Sequence, residues 1–434
     1  MNYARLNHIL IPNTKDERDR WRDSKWSRLL SPLSRTYFGL SEEGRMLFAF
    51  TAFVGLAGLD VGRSQSHLVW ALLLSLIFGS TAMRRFFDLP RVKLRVTGPD
   101  RVTVGEPAHF QVTLENRGDR DHHSLRLSRP FLPWDGKWSG RPPALPTLPA
   151  GERRTLGATA RFAARGVHHI DSFSAAALVP LGLAVGPFIR SSGTRFTVVP
   201  KLARIRRISL PITPQYQPGG VALASHTGES MELMGVRPYR AGDRIRDLHA
   251  VTWARCGEPA VREYQQEYFS RVGVVLDTDL AKNAEEQLEA MVSLAAGVTA
   301  HLSLTETLID LLVCGDRLHP LTVGRSLGHL DQALDHLSCV TAGPGFDHHV
   351  VLSMLRPHLS RLSCIVFIAS DWSVERRALV AGIRHAGVGC RSLCVKPHSR
   401  EREPESTGAS ALDVDSLSIA DIVAACGSGP ELVL

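Results

Sequence analysis

The spacing of hydrophobic and polar residues changes three times along this 434-residue chain. Residues 1–45 are polar and rich in arginine, and two apolar runs, 46–59 and 68–83, follow them. A two-residue alternation begins near residue 90, and after residue 200 short apolar runs alternate with amphipathic ones. A chain of this length exceeds one ordinary domain, so we expect several regions. We place their boundaries at residues 1–45, 46–85, 90–200 and 201–434.

The two apolar runs predict a transmembrane hairpin within residues 46–85. Each run is shorter than the roughly 20 residues that a spanning helix needs, so a pair of buried core helices is the alternative. A short polar connection at residues 60–67 separates the runs and carries one arginine, whereas several arginines flank their outer ends. Because cytoplasmic flanks are enriched in Lys and Arg, this asymmetry favours two membrane spans with both termini, and the basic segment 1–45, in the cytoplasm.

Residues 90–200 have the pattern of short antiparallel strands. Apolar and polar residues alternate at 94–96, 102–104, 109–114 and 153–161, and a proline-rich stretch at 130–149 is interpreted as a loop. This spacing predicts a β-sandwich, immunoglobulin-like in the broad sense. We expect it to serve as a spacer or docking platform.

Residues 201–434 alternate between apolar strands and amphipathic helices. The predicted strands lie at 272–276, 308–314, 318–323, 364–369 and 390–395, and the predicted helices at 284–301, 326–340, 346–362, 374–385 and 417–426. Such alternation is typical of an α/β domain with a parallel sheet covered on both faces. Residues 397–410 are polar, and we expect them to be mobile.

Charge and cysteine content indicate which partners and which cellular compartment suit the protein. The formal net charge of +8 favours an acidic neighbour such as a lipid surface. Nucleic acid is the alternative, but the basic residues are scattered and not interleaved with aromatics, so we expect no nucleic-acid binding. All seven cysteines follow residue 255 and form no CxxC pair, which favours a reduced, cytosol-facing domain.

One segment carries dense charge of both signs around a predicted Gly242-Asp243 turn. Its charged residues are Arg237, Arg240, Arg244, Arg246, Arg255, Glu232, Asp243, Asp247 and Glu263. Such a set can close an internal salt-bridge network, or it can present guanidinium groups to a partner's carboxylates or to phosphate. The mixture of signs favours the internal network. His249 has no evident nucleophile nearby, so we expect a packed imidazole rather than a general base.

This segment resembles the bacterial domain of unknown function 58, whose hallmark is R-x-Y-x-x-G-D-x-x-R followed by an Ala-Arg step and a strand that ends in Asp. The matching positions are Arg237, Tyr239, Gly242, Asp243, Arg246, His249, Ala254 and Arg255. The chain departs from the family pattern at Val179, Leu181, Ala250 and Trp253. The resemblance implies a von Willebrand factor A-like (Rossmann-like) domain in a membrane setting.

Acidic residues follow two of the predicted strands. Asp277 and Asp279 end the first strand, and Asp371 follows the strand at 364–369. Ligands bind beyond the carboxyl ends of strands in open α/β sheets, and this placement resembles the divalent-ion site of the von Willebrand factor A fold.

That site uses two Ser and a Thr besides its acids, whereas Asp279 and Ala281 stand at the Ser positions here, and Thr341 is the best candidate for the Thr. Three carboxylates can still hold Mg²⁺ or Ca²⁺. The alternative is that these residues cap helices or form solvated turns.

These features predict a bacterial inner-membrane protein, multi-pass, with its soluble regions facing the cytoplasm. We expect a protein-interaction module rather than an enzyme, because the sequence has no Walker or H-E-x-x-H motif. The resemblance implies work alongside a MoxR-type AAA ATPase in the assembly or maturation of other proteins. Two alternatives are a metal-dependent hydrolase that uses the acidic cluster and a purely structural membrane scaffold.

Overall fold

The chain forms two compact units that divide between Pro200 and Lys201. The computed structural model describes Arg20, Tyr37 and residues 39–57, 64–133, 135–211, 233–243, 245–264, 271–280, 284–305, 307–314, 318–323, 327–343, 347–397 and 414–434.

Two apolar helices precede the strands of the first unit, α1 (Glu42–Ala57) and α2 (Ser64–Met83). The indole Nε1 of Trp70 donates a hydrogen bond to the Thr51 carbonyl at 3.0 Å, so the two helices are in contact. Helix α2 already begins within the polar connection predicted at residues 60–67, and residues 58–63 lie outside the described part of the chain. Within that part, one helical stretch, residues 65–87, is long and apolar enough to cross a membrane.

Eleven strands follow the helices among the described residues of the first unit. They are β1 (Val92–Thr97), β2 (Arg101–Thr103), β3 (Pro107–Asn116), β4 (His122–Ser128), β5 (Gly136–Ser139), β6 (Ala144–Leu148), β7 (Arg153–Phe162), β8 (Gly166–Ile170), β9 (Ser174–Ala177), β10 (Ile189–Arg190) and β11 (Thr194–Val199). They form two four-stranded sheets, in the orders β1-β3-β7-β5 and β10-β9-β4-β6, and a three-stranded sheet in the order β2-β11-β8.

All three sheets contribute to one hydrophobic core. Strand β3 alternates buried and outward-facing residues, as the two-residue period predicts. Phe110 from β3 and Phe162 from β7 both contact Phe196 from β11, with ring centroids 5.8 and 5.1 Å apart. Leu125 from β4 joins the same core. Each fully buried ring contributes about 1.5–3 kcal/mol through the apolar surface that it removes from water.

The prediction of a loop over residues 130–149 is wrong, because this stretch contains β5 and β6. Both strands lie at the edge of a sheet. An edge strand tolerates proline, since the amide that proline lacks can face solvent, and β6 carries Pro146 in its middle. Proline content therefore misled the interpretation.

The second unit contains ten strands and six helices among its described residues. The strands are β12 (Ile205–Arg207), β13 (Leu233–Pro238), β14 (Ala260–Tyr264), β15 (Arg271–Asp277), β16 (Leu308–Cys314), β17 (Leu318–Val323), β18 (Cys364–Ala369), β19 (Gly389–Lys396), β20 (Val414–Ser418) and β21 (Leu432–Val433). The helices are α3 (Ala250–Cys256), α4 (Glu285–Ser303), α5 (Leu327–Ser338), α6 (His348–Leu359), α7 (Val374–His385) and α8 (Ile419–Cys426).

A six-stranded sheet in the order β17-β16-β15-β18-β19-β20 organises this unit. Its strands are parallel except for β17, which pairs antiparallel with β16 at one edge. The predicted parallel sheet is therefore present, within a mixed α/β unit. Strand β20 was not predicted, and most of the segment predicted to be mobile, residues 398–410, lies outside the described residues.

Both faces of the sheet are covered. Val275, Ile365 and Phe367 pack on one face against α6 and α7. The alternate residues of the same strands, such as Val274 and Val366, point to the opposite face and are also fully buried. Helix α4 contacts four of the strands. Burial on both faces explains why β18 is an uninterrupted apolar run.

Candidate functional site

The acidic residues after β15 and β18 lie at one edge of the sheet. Strands β15 and β18 are parallel neighbours, with Leu276 opposite Ile368, so their carboxyl ends coincide. This places Asp277 and Asp279 next to the loop that carries Asp371. The sequence analysis placed these acids at the carboxyl ends of the two strands.

One arginine side chain connects all three acids. The Nε of Arg376 donates to Asp277 Oδ2 at 2.6 Å, and its Nη1 donates to Asp371 Oδ1 at 2.6 Å. Its Nη2 lies 3.2 Å from both Asp279 Oδ2 and the Asp279 carbonyl oxygen. Nη1 also contacts the Ser373 hydroxyl at 3.1 Å. Each nitrogen of the guanidinium group thus faces a different carboxylate.

The beginning of α7 directs Arg376 into the cluster. Ser373 is the N-cap residue of α7, and its backbone N–H donates to Asp371 Oδ1 at 3.1 Å. Arg376 lies in the first turn, where long side chains point back toward the helix N-terminus and therefore toward the strand ends. It shares the buried face of the helix with Leu379, Val380 and Ile383.

Further hydrogen bonds hold the surrounding backbone. The Asp279 N–H donates to Asp277 Oδ1 at 2.9 Å, and the Ser370 hydroxyl donates to the Asp279 carbonyl at 3.0 Å. Gln287, in the first turn of α4, donates to the carbonyls of Ser370 and Val395, both at 2.7 Å. The ends of β15, β18 and β19 are therefore tied together by side chains.

Exposure differs strongly across the cluster. Asp277 is fully buried and the Arg376 side chain is 5% exposed, whereas the Asp371 side chain is 61% exposed. Burial raises the pKa of Asp277 to about 6, and the nearby Asp279 charge adds to this rise, although Arg376 opposes it. Burial alone would lower the pKa of Arg376, but the attraction of Asp277, Asp371 and Asp279 raises it.

The cluster does not have the geometry expected of a divalent-ion site. Each of the three acids gives an oxygen to Arg376, and no group of three or more His, Cys, Asp or Glu side chains in the described chain is arranged to hold a metal ion. Ala281 lies outside the described residues, and Thr341 is exposed. Mg²⁺ and Ca²⁺ bind through several oxygens that converge on one point, and here that point holds a guanidinium group.

Sequence reasoning missed Arg376, although the chain contains a signal for it. Arg376, Leu379, Val380 and Ile383 follow the i, i+3, i+4, i+7 spacing of a buried helix face. A charged residue at such a position requires a partner, because an unpaired buried charge is costly. The three acids at the adjacent strand ends supply that partner.

The arginine-rich motif forms a separate small hairpin within the second unit. Strands β13 and β14 pair antiparallel, with Arg237 opposite Val261. The Arg237 guanidinium donates to both oxygens of Asp243 at 2.7 and 2.8 Å, and the Arg240 N–H donates to Asp243 Oδ2 at 2.8 Å. Gly242 has a φ of 108°, which requires glycine at this turn. The pair with Arg237 lowers the pKa of Asp243 to about 2, and the Arg240 N–H contributes.

His249 has a structural position at the end of this turn. It is the N-cap residue of α3, its Nδ1 lies 2.7 Å from the Thr252 hydroxyl, and it accepts the Thr252 N–H at 3.3 Å. The backbone N–H of His249 donates to the Ala260 carbonyl. These contacts make the half-buried imidazole a cap of helix α3.

The remaining motif residues are turned outward. The Arg246 side chain is 70% exposed, and its Nε lies 3.9 Å from Asp247 Oδ1. Tyr239 and Trp253 are 37% and 44% exposed, and Arg255 is exposed. Glu232 and Arg244, also assigned to the predicted salt-bridge network, lie outside the described residues. Arg237 and Asp243 thus form an internal pair, while other side chains of the motif face solvent.

Residues 235–393 match a family model described as "Protein of unknown function DUF58". The matched range contains both the motif and the complete acidic cluster. No curated protein sequence matches the chain.

Among solved structures, the chain is similar to three proteins at low TM-scores. The part of α-2-macroglobulin from Escherichia coli that runs from domain MG7 to the C-terminus is 17% identical, with a TM-score of 0.21 over 28% of this chain and 20% of that one. A CARDB domain from Pyrococcus furiosus is 18% identical, with a TM-score of 0.18 over 26% and 91% of the two chains. An alkylpurine DNA glycosylase from Pseudomonas fluorescens is 13% identical, with a TM-score of 0.17 over 34% and 41%.

Proposed function

Because residues 235–393 match the DUF58 family model, we propose that the chain is a membrane-anchored protein-interaction module. The domain is of the von Willebrand factor A type in this proposal. The strand order β17-β16-β15-β18-β19-β20, with one antiparallel edge strand, supports that assignment. The two four-stranded antiparallel sheets around one core support a β-sandwich in the first unit.

The observation that carries the proposal is the outward exposure of aromatic and arginine side chains in the segment that contains the family motif. Tyr239, Trp253, Arg246 and Arg255 are all accessible to solvent. Tyr, Trp and Arg dominate the energy of protein–protein interfaces, because they combine large contact areas with directional hydrogen bonds. The Arg237–Asp243 pair closes the turn that lies between Tyr239 and Arg246.

Membrane attachment depends on the apolar helices. Along α2, Leu68, Leu72 and Phe78 are 69%, 59% and 71% exposed, which suits a lipid environment. In the proposed topology α1 and α2 cross the bacterial inner membrane as a hairpin, and the soluble units face the cytoplasm. All seven cysteines are free thiols, as a reducing compartment requires.

The partner in this proposal is a MoxR-type AAA ATPase, and the process is assembly or maturation of other proteins. The proposal of this partner is based on the family resemblance. The arrangement of the acidic cluster favours binding over hydrolysis, since Arg376 forms ion pairs with all three carboxylates.

Capture from native membranes tests the proposal. The tagged full chain is purified after cross-linking, and the bound proteins are identified by mass spectrometry. We expect an AAA ATPase to be enriched with the parent protein. The double variant Trp253→Ala, Arg246→Glu should lose at least about ten-fold of it, as expected when hot-spot contacts of about 1.4 kcal/mol or more are removed.

Arg195→Glu provides the control, because Arg195 is exposed in the first unit and outside the family match. The Arg195→Glu protein should bind as much of the ATPase as the parent protein does. Recovery of no ATPase with the parent protein, or equal recovery with all three proteins, would refute the proposed partnership.

A further inference from the structure

We infer that Arg376 is the resident cation of the acidic cluster and that the cluster binds no divalent ion in the intact protein. The inference concerns the chemistry of this edge of the sheet and does not depend on the identity of any partner. It rests on the geometry, the burial and the charge of the described residues.

The geometry matches a guanidinium group rather than a metal ion. Each of the three nitrogens of Arg376 forms an ion pair with a different acid: Asp277 at 2.6 Å, Asp371 at 2.6 Å and Asp279 at 3.2 Å. A planar guanidinium can serve three acceptors arranged around its rim. A metal ion would instead need the three carboxylates to converge on one point at about 2.0–2.6 Å. The Arg376 side chain lies between them and prevents that convergence.

Burial makes the arginine hard to displace. Its side chain is 5% exposed and Asp277 is fully buried, so the pair is shielded from solvent and from added salt. Moving Arg376 outward would break its hydrogen bonds to three acids, to Ser373 and to the Asp279 carbonyl. An arginine also stays charged at every physiological pH, so the cluster always contains its cation.

The consequence is a site whose stability is independent of divalent ions. In a metal-binding domain of this kind the ion is supplied from solution, and chelators remove it. Here the cation is part of α7 and is present as soon as the helix packs on the sheet. Chelation should therefore leave the protein unchanged.

Titration of the full chain with Mn²⁺, after treatment with a chelator, tests the inference. The experiment compares the parent protein in detergent with Arg376→Ala and with the control Arg377→Ala, whose side chain is exposed on the same helix. Calorimetry measures ion binding, and thermal unfolding measures stability. Hydrogen exchange of peptides covering residues 271–280 and 364–377 localises any effect to the cluster.

For the parent we expect no saturable binding of millimolar Mn²⁺ and no shift of the unfolding midpoint. Arg376→Ala should lower the midpoint by about 10 °C, because it leaves the buried Asp277 carboxylate without its partner. Mn²⁺ should recover part of that loss, since the vacated space then admits an ion. Arg377→Ala should behave like the parent.

Two results would overturn the inference. One is saturable Mn²⁺ binding to the parent that Asp277→Asn abolishes. The other is an Arg376→Ala variant as stable as Arg377→Ala. If Arg376→Ala does not fold, Arg376→Lys retains a cation and should fold without Mn²⁺ binding, and the titration of the parent remains decisive.

Discussion

The ionisation of Asp277 makes the stability of the second unit depend on pH in a direction that can be measured. Its folded-state pKa is raised from 3.8 to about 6, and burial is the largest cause. Three carboxylates share one guanidinium group, so Arg376 compensates only part of the negative charge. Protonation of Asp277 relieves that excess in the folded state.

The sign follows from the direction of this shift. Between about pH 4 and pH 6 the folded protein binds the proton while the unfolded chain releases it, so stability falls as the pH rises through this window. A shift from 3.8 to about 6 corresponds to about 3 kcal/mol, at about 1.4 kcal/mol per pKa unit. The stabilisation is complete below pH 4 and is lost above pH 6.

Asp277→Asn removes this titration and keeps the shape of the side chain. We expect the free energy of unfolding of the parent, relative to that of Asp277→Asn, to decrease by about 3 kcal/mol between pH 4 and pH 7. Urea unfolding at fixed pH, read by pulse proteolysis so that peptides of the second unit are followed separately, measures this difference. Because both proteins share every other titrating group, the comparison cancels those contributions.

Equal slopes for the two proteins would show that Asp277 has the same pKa folded and unfolded. A parent that gains stability relative to Asp277→Asn as the pH rises would show that the attraction of Arg376 outweighs burial. Either result would refute the reasoning.

Two further predictions concern packing and membrane attachment. Gly297→Ala should lower the unfolding midpoint by several degrees, because a Cβ at this position would lie 2.1 Å from the Ala203 carbonyl oxygen; Gly235→Ala, where a Cβ meets nothing within 4 Å, is the control. Leu72→Lys combined with Phe78→Lys should release the protein from carbonate-washed membranes, since each charge near the middle of a span costs about 2.5–3.5 kcal/mol. An unchanged membrane fraction would mean that α2 does not anchor the chain.

The sequence was most informative where one structural requirement dominated. Strand β18 is buried on both faces, and its sequence is therefore an unbroken apolar run. The Gly242-Asp243 turn could be predicted from its residue types. The meeting of Asp277 with Asp371 followed from two parallel strands that end at one edge. In each case a local pattern had a single structural solution.

Other features depended on tertiary partners that no local pattern reveals. Strands β5 and β6 contain or adjoin prolines that only an edge position tolerates, so the proline-rich segment was interpreted as a loop. Arg376 looked like one of many arginines, because its importance depends on acids about 100 residues earlier in the chain. Likewise Arg271 and Asp310 pair across β15 and β16, which explains an aspartate within an apolar strand.

Anomalous diffraction from crystals of the full chain grown with Mn²⁺ would test most directly whether Arg376 is the cation of the acidic cluster. We predict guanidinium density between Asp277, Asp279 and Asp371, with no anomalous peak within coordination distance of their oxygens. A manganese peak bound by Asp277, with the Arg376 side chain turned away, would contradict the central claim.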